Sequence, residues 1–424
     1  MINMKKEFQF EYGKNKISFS LDQQNILMEV KANLVAHQST GIDEVKRALA
    51  YPIGTPKLSE IVSKGESVCI VTSDITRPCP SYILLPPVID ELMEAGVSAD
   101  DITVVFALGS HRRHTEEEKR ELVGDYIYEL VHTVDSDPED TVFLGNTSRG
   151  TPINITSIVA QADRRICLGN IEMHYFAGYS GGSKAIMPGV SDREAIQANH
   201  SKMVEETSKA GKISGNNVRL DIEEAADFCG IDFILNVVLD EDKQIVRAVA
   251  GDRIKAHRAG CEFLDSMYKI KIPQLADIVI ASPGGFPKDI NVYQSQKALD
   301  NAKYAVKPGG TIILAADCSE GFGEHAFEEW LNDAETSYDL IVRIKNEFRL
   351  GGHKAAAIAL VLEKCDVCIV SNLKKETAAR TFMKPYDNIQ KAIDDAMQKT
   401  GKDAKIIIMP HAGATLPFLS ESKK

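Results

Sequence analysis

The chain has 424 residues, which is enough for two or three domains with hydrophobic cores. Hydrophobic residues make up 44% and charged residues 26% of it, as in ordinary soluble globular proteins. The net charge of −12 argues against a nucleic-acid-binding surface, and no apolar run reaches the roughly 18 residues of a membrane-spanning helix. Since the N-terminus also lacks the apolar segment of a signal peptide, we expect a cytoplasmic protein without nucleic-acid or membrane partners.

The first part of the chain predicts a β-hairpin followed by a helix. Apolar and polar residues alternate along residues 1–20, with Gly13-Lys14-Asn15 as the turn. The helix is expected over residues 42–50, because Pro52 and Gly54 then interrupt the chain.

Strand-like and helical segments alternate in the region that follows. Strands are predicted over residues 67–72, 102–108 and 165–171, with a helix over residues 82–95 between the first two. This alternation is typical of βαβ units, so we predict an α/β fold with mainly parallel sheets. In such sheets, ligands bind beyond the carboxyl ends of the strands, where four polar residues fall: Asp74, Arg77, His111 and His174.

Residues 170–200 contain the densest group of candidate functional side chains. The glycines between Phe176 and Lys184 would allow the backbone to approach a ligand closely. The turn is not a P-loop, because Ser183 precedes the lysine and Ala185 follows it. An ordinary glycine turn with an exposed lysine is the alternative interpretation.

A helix is predicted at the end of this segment. Ser191 and Glu194 have the spacing of a capping box, so the helix would run from about Asp192 past His200. His200 would then be held by a rigid element.

The second half of the chain begins with a predicted hairpin over residues 233–239 and 244–250, and a helix over residues 261–268. Ile272-Pro273 marks the predicted domain boundary, which gives domains over residues 1–270 and 271–424. The α/β pattern then restarts, with a helix over residues 292–306 and strands over residues 277–281, 311–316, 365–370 and 405–409. We expect a functional cleft between the two domains.

The eight cysteines are scattered through the chain, mostly within apolar strand-like segments. We therefore predict reduced core residues rather than a disulfide framework. Cys365 and Cys368 have C-x-x-C spacing, but the chain offers no second pair to complete a zinc site.

Five motifs together resemble a known family. In chain order they are Asp74-Ile75-Thr76-Arg77, Gly109-Ser110-His111, the segment from His174 to Lys184, Asn199-His200, and Tyr293-Gln294-x-x-Lys297. This series resembles the nickel-pincer nucleotide-dependent lactate racemases over nearly the whole chain. The resemblance implies a racemase or C2-epimerase of 2-hydroxy acids that works by hydride transfer. It also implies that domain 1–270 binds the cofactor and that domain 271–424 closes over the substrate.

The resemblance also implies a role for each motif residue. Lys184 would tether the cofactor, a Ni(II)-pyridinium-3,5-bisthiocarboxylate mononucleotide, and His200 would be the protein ligand to its nickel. His111 and His174 would be the catalytic acid/base pair. Other residues would line the cofactor (Asp74, Ile75, Thr76 and Arg77) or bind the substrate (Arg77, Gln294 and Lys297). Cofactor-biosynthesis proteins would be maturation partners, and a small 2-hydroxy acid would be the substrate.

The residue types suit this chemistry independently of the resemblance. The α-proton of a 2-hydroxy acid is hard to remove beside an ionised carboxylate, whereas hydride removal needs an electrophilic cofactor. Histidine suits the transfer of the hydroxyl proton, because an unperturbed imidazole, with a pKa of about 6.5, can act as a base or as an acid. Arg77 and Lys297 can neutralise the substrate carboxylate, and a neutral imidazole suits nickel.

Two other functions remain open at this stage. A non-catalytic binding protein for a nucleotide-like ligand would not need paired histidines. A metal hydrolase using His174 and His200 would lack the carboxylates of a motif such as His-Glu-x-x-His. We expect no catalytic or metal-binding role for His132, His257, His325, His353 and His411, and we expect His114 to be exposed.

The identity of the substrate is also open. The family places a tryptophan of the second domain near the methyl group of lactate, whereas the comparable segment here covers residues 349–355. The single tryptophan, Trp330, lies elsewhere, and His353 and Lys354 would suit a more polar substrate. Lactate, a dicarboxylic hydroxy acid and a sugar acid are all compatible with the sequence.

Overall fold

A computed structural model describes residues 4–36 and 39–419, which divide into two compact units. One unit is Val35–Ser266, and the other combines the residues up to Leu34 with those from Met267 onward. The predicted domains begin at residue 1 and end at residue 424, and both of these residues lie outside the described ranges.

Strands and helices alternate along most of the chain. The strands are β1 (Lys5–Tyr12), β2 (Asn15–Asp22), β3 (Ile26–Glu29), β4 (Val68–Ser73), β5 (Ile102–Ala107), β6 (His132–Asp135), β7 (Thr141–Asn146), β8 (Pro152–Thr156), β9 (Arg164–Asn170), β10 (Met173–His174), β11 (Gly178–Tyr179), β12 (Phe233–Leu239), β13 (Ile245–Gly251), β14 (Lys269–Ile272), β15 (Ala276–Ala281), β16 (Val306–Ala315), β17 (Asp366–Val370), β18 (Lys384–Tyr386), β19 (Ile406–Met409) and β20 (Leu416–Leu419).

The helices include short single turns as well as longer segments. They are α1 (Gly41–Ala50), α2 (Leu58–Ile61), α3 (Ser81–Glu94), α4 (Glu116–Val123), α5 (Asp125–Leu130), α6 (Ser157–Ala160), α7 (Arg193–His200), α8 (Asn217–Cys229), α9 (Lys255–Tyr268), α10 (Val292–Ala302), α11 (His325–Asp333), α12 (Ser337–Asn346), α13 (Gly352–Leu362), α14 (Lys375–Ala379) and α15 (Ile389–Thr400). Across residues 4–36 and 39–419, the structure contains no helix with the length and apolar character needed to cross a bilayer.

The unit Val35–Ser266 is built on a six-stranded sheet in the order β13-β12-β9-β4-β5-β6. All neighbouring pairs are parallel except β12 and β13, which form the predicted hairpin. The apolar side chains of β4, β5 and β12 are buried with those of α1 and α3. The loops that follow β4, β5 and β9 begin at the same edge of this sheet, and they carry most of the candidate residues.

The other unit contains a second six-stranded sheet, in the order β18-β17-β16-β15-β19-β3, in which every pair is parallel. The predicted α/β class with mainly parallel sheets is thus confirmed. The hairpin of β1 and β2 packs on this sheet through Phe8, Phe10 and Phe19.

Residues 4–34 therefore belong with the C-terminal half of the chain, in contrast to the predicted domain 1–270. The reason is the pairing of β3 with β19, which places an N-terminal strand at the edge of the second sheet. A hairpin pattern identifies strands that pair locally, but it does not show which distant sheet they cover.

The predicted capping box before α7 is wrong. Asp192 is the cap, because its side chain accepts a hydrogen bond from the backbone N–H of Ala195 at 2.8 Å. The Ser191 hydroxyl instead donates to the carbonyl of Ile186 at 2.9 Å. Serine and aspartate cap helices about equally well, so the tertiary contact of Ser191 decides between them. The helix also ends at His200 rather than beyond it.

The cysteine prediction is confirmed. All eight cysteines are buried free thiols, and burial is the first cause of the raised pKa of each.

Candidate functional site

The loop after β4 pairs a buried carboxylate with a histidine from the loop after β5. Asp74 is 3% exposed, and its Oδ2 accepts a hydrogen bond from His111 Nδ1 at 2.8 Å. The Thr76 hydroxyl donates to the same oxygen at 2.8 Å. Because Nδ1–H donates to the carboxylate, Nε2 of the neutral ring is the nitrogen that can accept a proton. This arrangement suits His111 to general acid/base catalysis.

The surrounding charges keep Asp74 ionised. Burial acts to raise the pKa of Asp74, but the hydrogen bond and charge of His111, with Thr76 and Arg77, hold the pKa below its ordinary value. Arg77 Nε lies 3.8 Å from Asp74 Oδ1, and the arginine side chain is 58% exposed. Arg77 is therefore accessible to a ligand, whereas Ile75 is half-buried and packs against the core.

The prediction that His114 is exposed is wrong. Its side chain is 1% exposed, and Nδ1 lies 2.6 Å from the buried Oδ1 of Asp135. Its Nε2 accepts a hydrogen bond from the backbone N–H of Ile75 at 3.1 Å. The neighbouring Arg112 and Arg113 suggested a solvated loop, but the pairing of β5 with β6 brings Asp135 beside this segment. His114 thus anchors the loop that carries Asp74 and Arg77.

We expect His114→Ala to lower the free energy of unfolding by about 3 to 5 kcal/mol. The substitution removes the partner of a buried carboxylate, Asp135, and the acceptor of the Ile75 N–H group. Urea denaturation of the two proteins measures the difference. Arg113→Ala is the matched control, because its ion pair with Asp137 is exposed and should contribute less than about 1 kcal/mol. Equal, small losses for both variants would contradict the anchoring role.

The loop after β9 brings His174 and Lys184 together. His174 Nδ1 accepts a hydrogen bond from the backbone N–H of Ala177 at 3.2 Å, so the neutral ring carries its hydrogen on Nε2. That Nε2 lies 3.3 Å from Lys184 Nζ. Burial, with the charges of Arg77 and Arg219, lowers the pKa of Lys184 to about 7. The amine is therefore partly neutral near neutral pH, and a neutral amine is a nucleophile.

We expect amine-reactive labelling of Lys184, in protein made without cofactor, to rise through a midpoint near pH 7. Only the neutral amine reacts, and its fraction increases as the pH passes the lowered pKa of about 7. An ordinary lysine reaches the same fraction only near about pH 10.4. Pulse labelling over a pH series, followed by peptide mass spectrometry, measures the profile, with the exposed Lys64 as internal control. Superimposable profiles for the two lysines would contradict the lowered pKa.

The glycine-rich turn before Lys184 packs closely against protein side chains. Gly181 has a φ of +74°, and a Cβ there would lie 2.8 Å from Asn236 Oδ1. Gly182 has a φ of +56°, and its Cβ would lie 2.9 Å from the ring of His257. Asn236 Oδ1 also accepts the Gly182 N–H at 2.7 Å. The glycines therefore place Lys184 by allowing a tight turn against buried side chains.

Helix α7 presents His200 at its C-terminal end. The side chain is 7% exposed, and Nδ1 lies 3.0 Å from Asn199 Oδ1. The Phe176 ring contacts the His200 ring edge-on at 5.0 Å between centroids and the His174 ring at 4.5 Å. Lys184 Nζ lies 5.8 Å from the same phenylalanine ring. His174, Lys184 and His200 are therefore grouped around Phe176.

A metal ion bound by protein ligands alone does not fit this site. Within the described ranges, 4–36 and 39–419, no three His, Cys, Asp or Glu side chains are grouped so that they could hold an ion. The hydrolase alternative, which used His174 and His200, therefore lacks a ligand set. A single imidazole is sufficient where a cofactor brings the remaining donors, so His200 and Lys184 fit a tethered metal-containing cofactor.

The predicted substrate residues Gln294 and Lys297 lie in the other unit. Both are exposed and three residues apart on α10, so they share one face of that helix. The Asn291 side chain caps the helix by accepting the Gln294 N–H at 2.9 Å. Lys354 is 6% exposed, and its Nζ donates to the carbonyl of Tyr293 at 2.7 Å. A buried lysine is thus placed beside the residue that precedes Gln294.

Some supporting residues had no signal in the sequence. Arg219 is fully buried, lies 3.1 Å from His257 Nδ1, and contributes to the low pKa of Lys184. Asn236 lies within the buried strand β12. In the sequence it is only an isolated polar residue among apolar ones. Neither belongs to a motif with fixed spacing, because both reach the turn from separate elements. His257 is also buried, and its Nε2 lies 2.8 Å from the Ser180 carbonyl, in agreement with a structural role.

Comparisons with known proteins cover nearly the whole chain. The family model for the lactate racemase N-terminal domain matches residues 12–211, and that for the lactate racemase C-terminal domain matches residues 272–416. The lactate racemase of Thermoanaerobacterium thermosaccharolyticum is 34% identical over 411 residues, which are 94% of this chain and 96% of that protein. The lactate racemase of Lactiplantibacillus plantarum is 32% identical over 411 residues with the same coverage. The solved structure of the T. thermosaccharolyticum lactate racemase apoprotein matches with a TM-score of 0.88 and 32% identity, covering 97% of this chain and 100% of that one.

Proposed function

Since the chain belongs to the lactate racemase family, we propose that this isomerase interconverts the two configurations at C2 of a 2-hydroxy acid. The observation that carries the proposal is the protonation pattern of its two histidines. Nε2 of His111 can accept a proton, because Nδ1–H is bound to Asp74. Nε2 of His174 carries a hydrogen, because Nδ1 accepts the Ala177 N–H. At Nε2, one imidazole thus presents a lone pair and the other an N–H group.

A Ni(II)-pyridinium-3,5-bisthiocarboxylate mononucleotide tethered at Lys184 would supply the hydride acceptor that no side chain provides. Lys184 suits a covalent tether, because its pKa of about 7 leaves the amine partly neutral. His200 would be the protein ligand to the nickel. Asp74, Ile75, Thr76 and Arg77 would line the cofactor from the loop after β4.

The protein's own groups would manage the proton and the carboxylate of the substrate. His111 Nε2 would take the hydroxyl proton of one enantiomer while Arg77 binds its carboxylate. After the planar keto acid turns over, His174, charged as an imidazolium by a proton from solvent, would return a proton from Nε2 to the oxygen, and His111 would release its proton to solvent. The opposite enantiomer would use the two histidines in the reverse roles, after proton exchange with solvent has protonated His111 and left the lone pair on Nε2 of His174. Gln294 and Lys297 would bind the same substrate.

The proposed substrates are lactate, which appears in the names of both relatives, and more polar 2-hydroxy acids. The observation that favours a polar substrate is the buried Lys354, beside Tyr293. We further propose that the chain is loaded in the cytoplasm by cofactor-biosynthesis proteins.

The decisive experiment uses protein produced together with the cofactor pathway. Single enantiomers of lactate, dicarboxylic hydroxy acids and sugar acids, each with deuterium at C2, are incubated with the protein and separated by chiral chromatography. We expect at least one of them to be converted to a mixture of configurations that keeps its deuterium. Binding without inversion of any substrate would favour the non-catalytic binding protein, and exchange of the deuterium for solvent hydrogen would exclude hydride transfer.

A further inference from the structure

A fully buried carboxylate, Asp221 of α8, lies at one end of a hydrogen-bond chain that reaches His200. Three side chains donate to it, and Lys202 Nζ lies 3.5 Å away. The donors are Thr147 Oγ1 at 2.5 Å, Thr151 Oγ1 at 2.6 Å and Asn199 Nδ2 at 2.8 Å. A buried carboxylate with this many donors is a strongly held acceptor.

These contacts determine which way the amide of Asn199 points. Asn199 is fully buried, and its nitrogen donates to Asp221 Oδ2 at 2.8 Å and to the Val218 carbonyl at 3.3 Å. Both partners can only accept, so the amide nitrogen must face them. The oxygen therefore faces His200 Nδ1, at 3.0 Å. Since an amide oxygen is only an acceptor, Nδ1 carries the hydrogen.

We propose that Asp221 and Asn199 are positioning residues that hold His200 in the Nδ1–H tautomer, the form in which Nε2 carries the lone pair that a metal ligand needs. An imidazole that binds a metal through one nitrogen commonly donates its other N–H group to a carboxylate or carbonyl. Here the amide of Asn199 transmits the orientation from the carboxylate to the ring. The tautomer follows from the hydrogen bonds alone, and only its use for nickel rests on the proposed function.

The Asp221 carboxylate is needed to bring the Asn199 side chain against His200, because these two residues are consecutive on a helix. Side chains one residue apart on a helix do not normally face each other, so their contact must be imposed from outside. The Thr147 and Thr151 hydroxyl groups, from the turn between β7 and β8, and Asn199, from α7, converge on Asp221. Replacing the carboxylate with an amide would let position 221 donate to Asn199 Oδ1, and the Asn199 amide could then turn around.

The test measures the tautomer directly in protein made without cofactor. Histidine ring nitrogens are labelled with ¹⁵N and observed by NMR at a pH well above the ordinary imidazole value of about 6.5. The His200 signals are identified by their loss in His200→Gln. We expect Nδ1 of His200 to be protonated in the wild type and Nε2 to be protonated in Asp221→Asn. The matched control is Glu224→Gln on the same helix, whose carboxylate binds Ser148 and Arg149, and this variant should keep the wild-type tautomer.

Two results would overturn the proposal. One is a wild-type His200 protonated at Nε2, and the other is an unchanged tautomer in Asp221→Asn. Should Asp221→Asn fail to fold, Asn199→Leu is the second variant. It removes the amide oxygen that accepts from His200 Nδ1 but puts no donor in its place, so we then expect a mixture of tautomers. A pure Nδ1–H tautomer in that variant would equally overturn the proposal.

The role toward nickel has a separate measurement. In protein loaded with cofactor, Asp221→Asn should bind nickel roughly 10- to 100-fold more weakly, measured as nickel lost to a chelator. A changed tautomer with weaker nickel binding supports the inference as a whole. A changed tautomer with unchanged nickel binding would support the positioning of the ring but overturn its use for the metal, and with it the assignment of His200 as the nickel ligand.

Discussion

Lys184→Ala, produced together with the cofactor pathway, should carry no covalent adduct and should show no racemase activity above background. The alanine side chain has no amine, and the tether is proposed to form at this nitrogen alone. The structure supports this choice, because Lys184 combines a pKa lowered to about 7 with a position 3.3 Å from the proposed acid His174. Intact-mass spectrometry of the purified protein measures the adduct.

Lys184→Arg is the matched control for the charge of this side chain. It keeps a cation in the turn, but a guanidinium group is always protonated and is not a nucleophile at neutral pH. We therefore expect Lys184→Arg to lack the adduct as well. An adduct of unchanged mass in either variant would show that another residue forms the tether.

His111→Ala should keep the adduct but lose turnover by about 10²- to 10⁴-fold, the usual contribution of a general acid or base. The loss corresponds to about 3 to 5 kcal/mol of activation free energy. The physical reason is that Asp74 holds the only hydrogen of the neutral ring on Nδ1, so that Nε2 is available to the substrate hydroxyl. Steady-state rates with the best substrate, combined with the intact mass, measure both quantities.

His132→Ala is the control for removing a histidine from the same unit. His132 is exposed at the start of β6, and its replacement should leave both adduct and rate unchanged. A fully active His111→Ala variant would remove this residue from the catalytic pair. Loss of the adduct in His111→Ala would instead assign it to cofactor binding.

Local patterns in the sequence were sufficient for the α/β class. Apolar side chains that alternate with polar ones, or that recur with helical spacing, show directly which face of a segment is buried. The strands and helices around β4, β5 and β9 could therefore be predicted. The carboxyl ends of parallel strands meet at one edge of a sheet, which is why Asp74, His111 and His174 could be selected as candidates. The structure places two of them, Asp74 and His111, in direct contact.

Long-range contacts decided what the sequence left open. His114 looked exposed beside two arginines, but the pairing of β5 with β6 buries it against Asp135. The position of residues 4–34 depended on a pair of strands that are far apart in the chain, in which Ile26 pairs with Ile406.

By itself, the sequence determined the fold class, the buried cysteines and the motif residues of this isomerase, because these depend on short-range periodicity and spacing. Only the tertiary structure decided the protonation of those residues. The tautomers of His111, His174 and His200 each depend on the partner of Nδ1, and the pKa of Lys184 depends on burial and on Arg77 and Arg219. Charge and hydrogen-bond partners act through space, so groups distant in the chain set the chemistry of each motif residue.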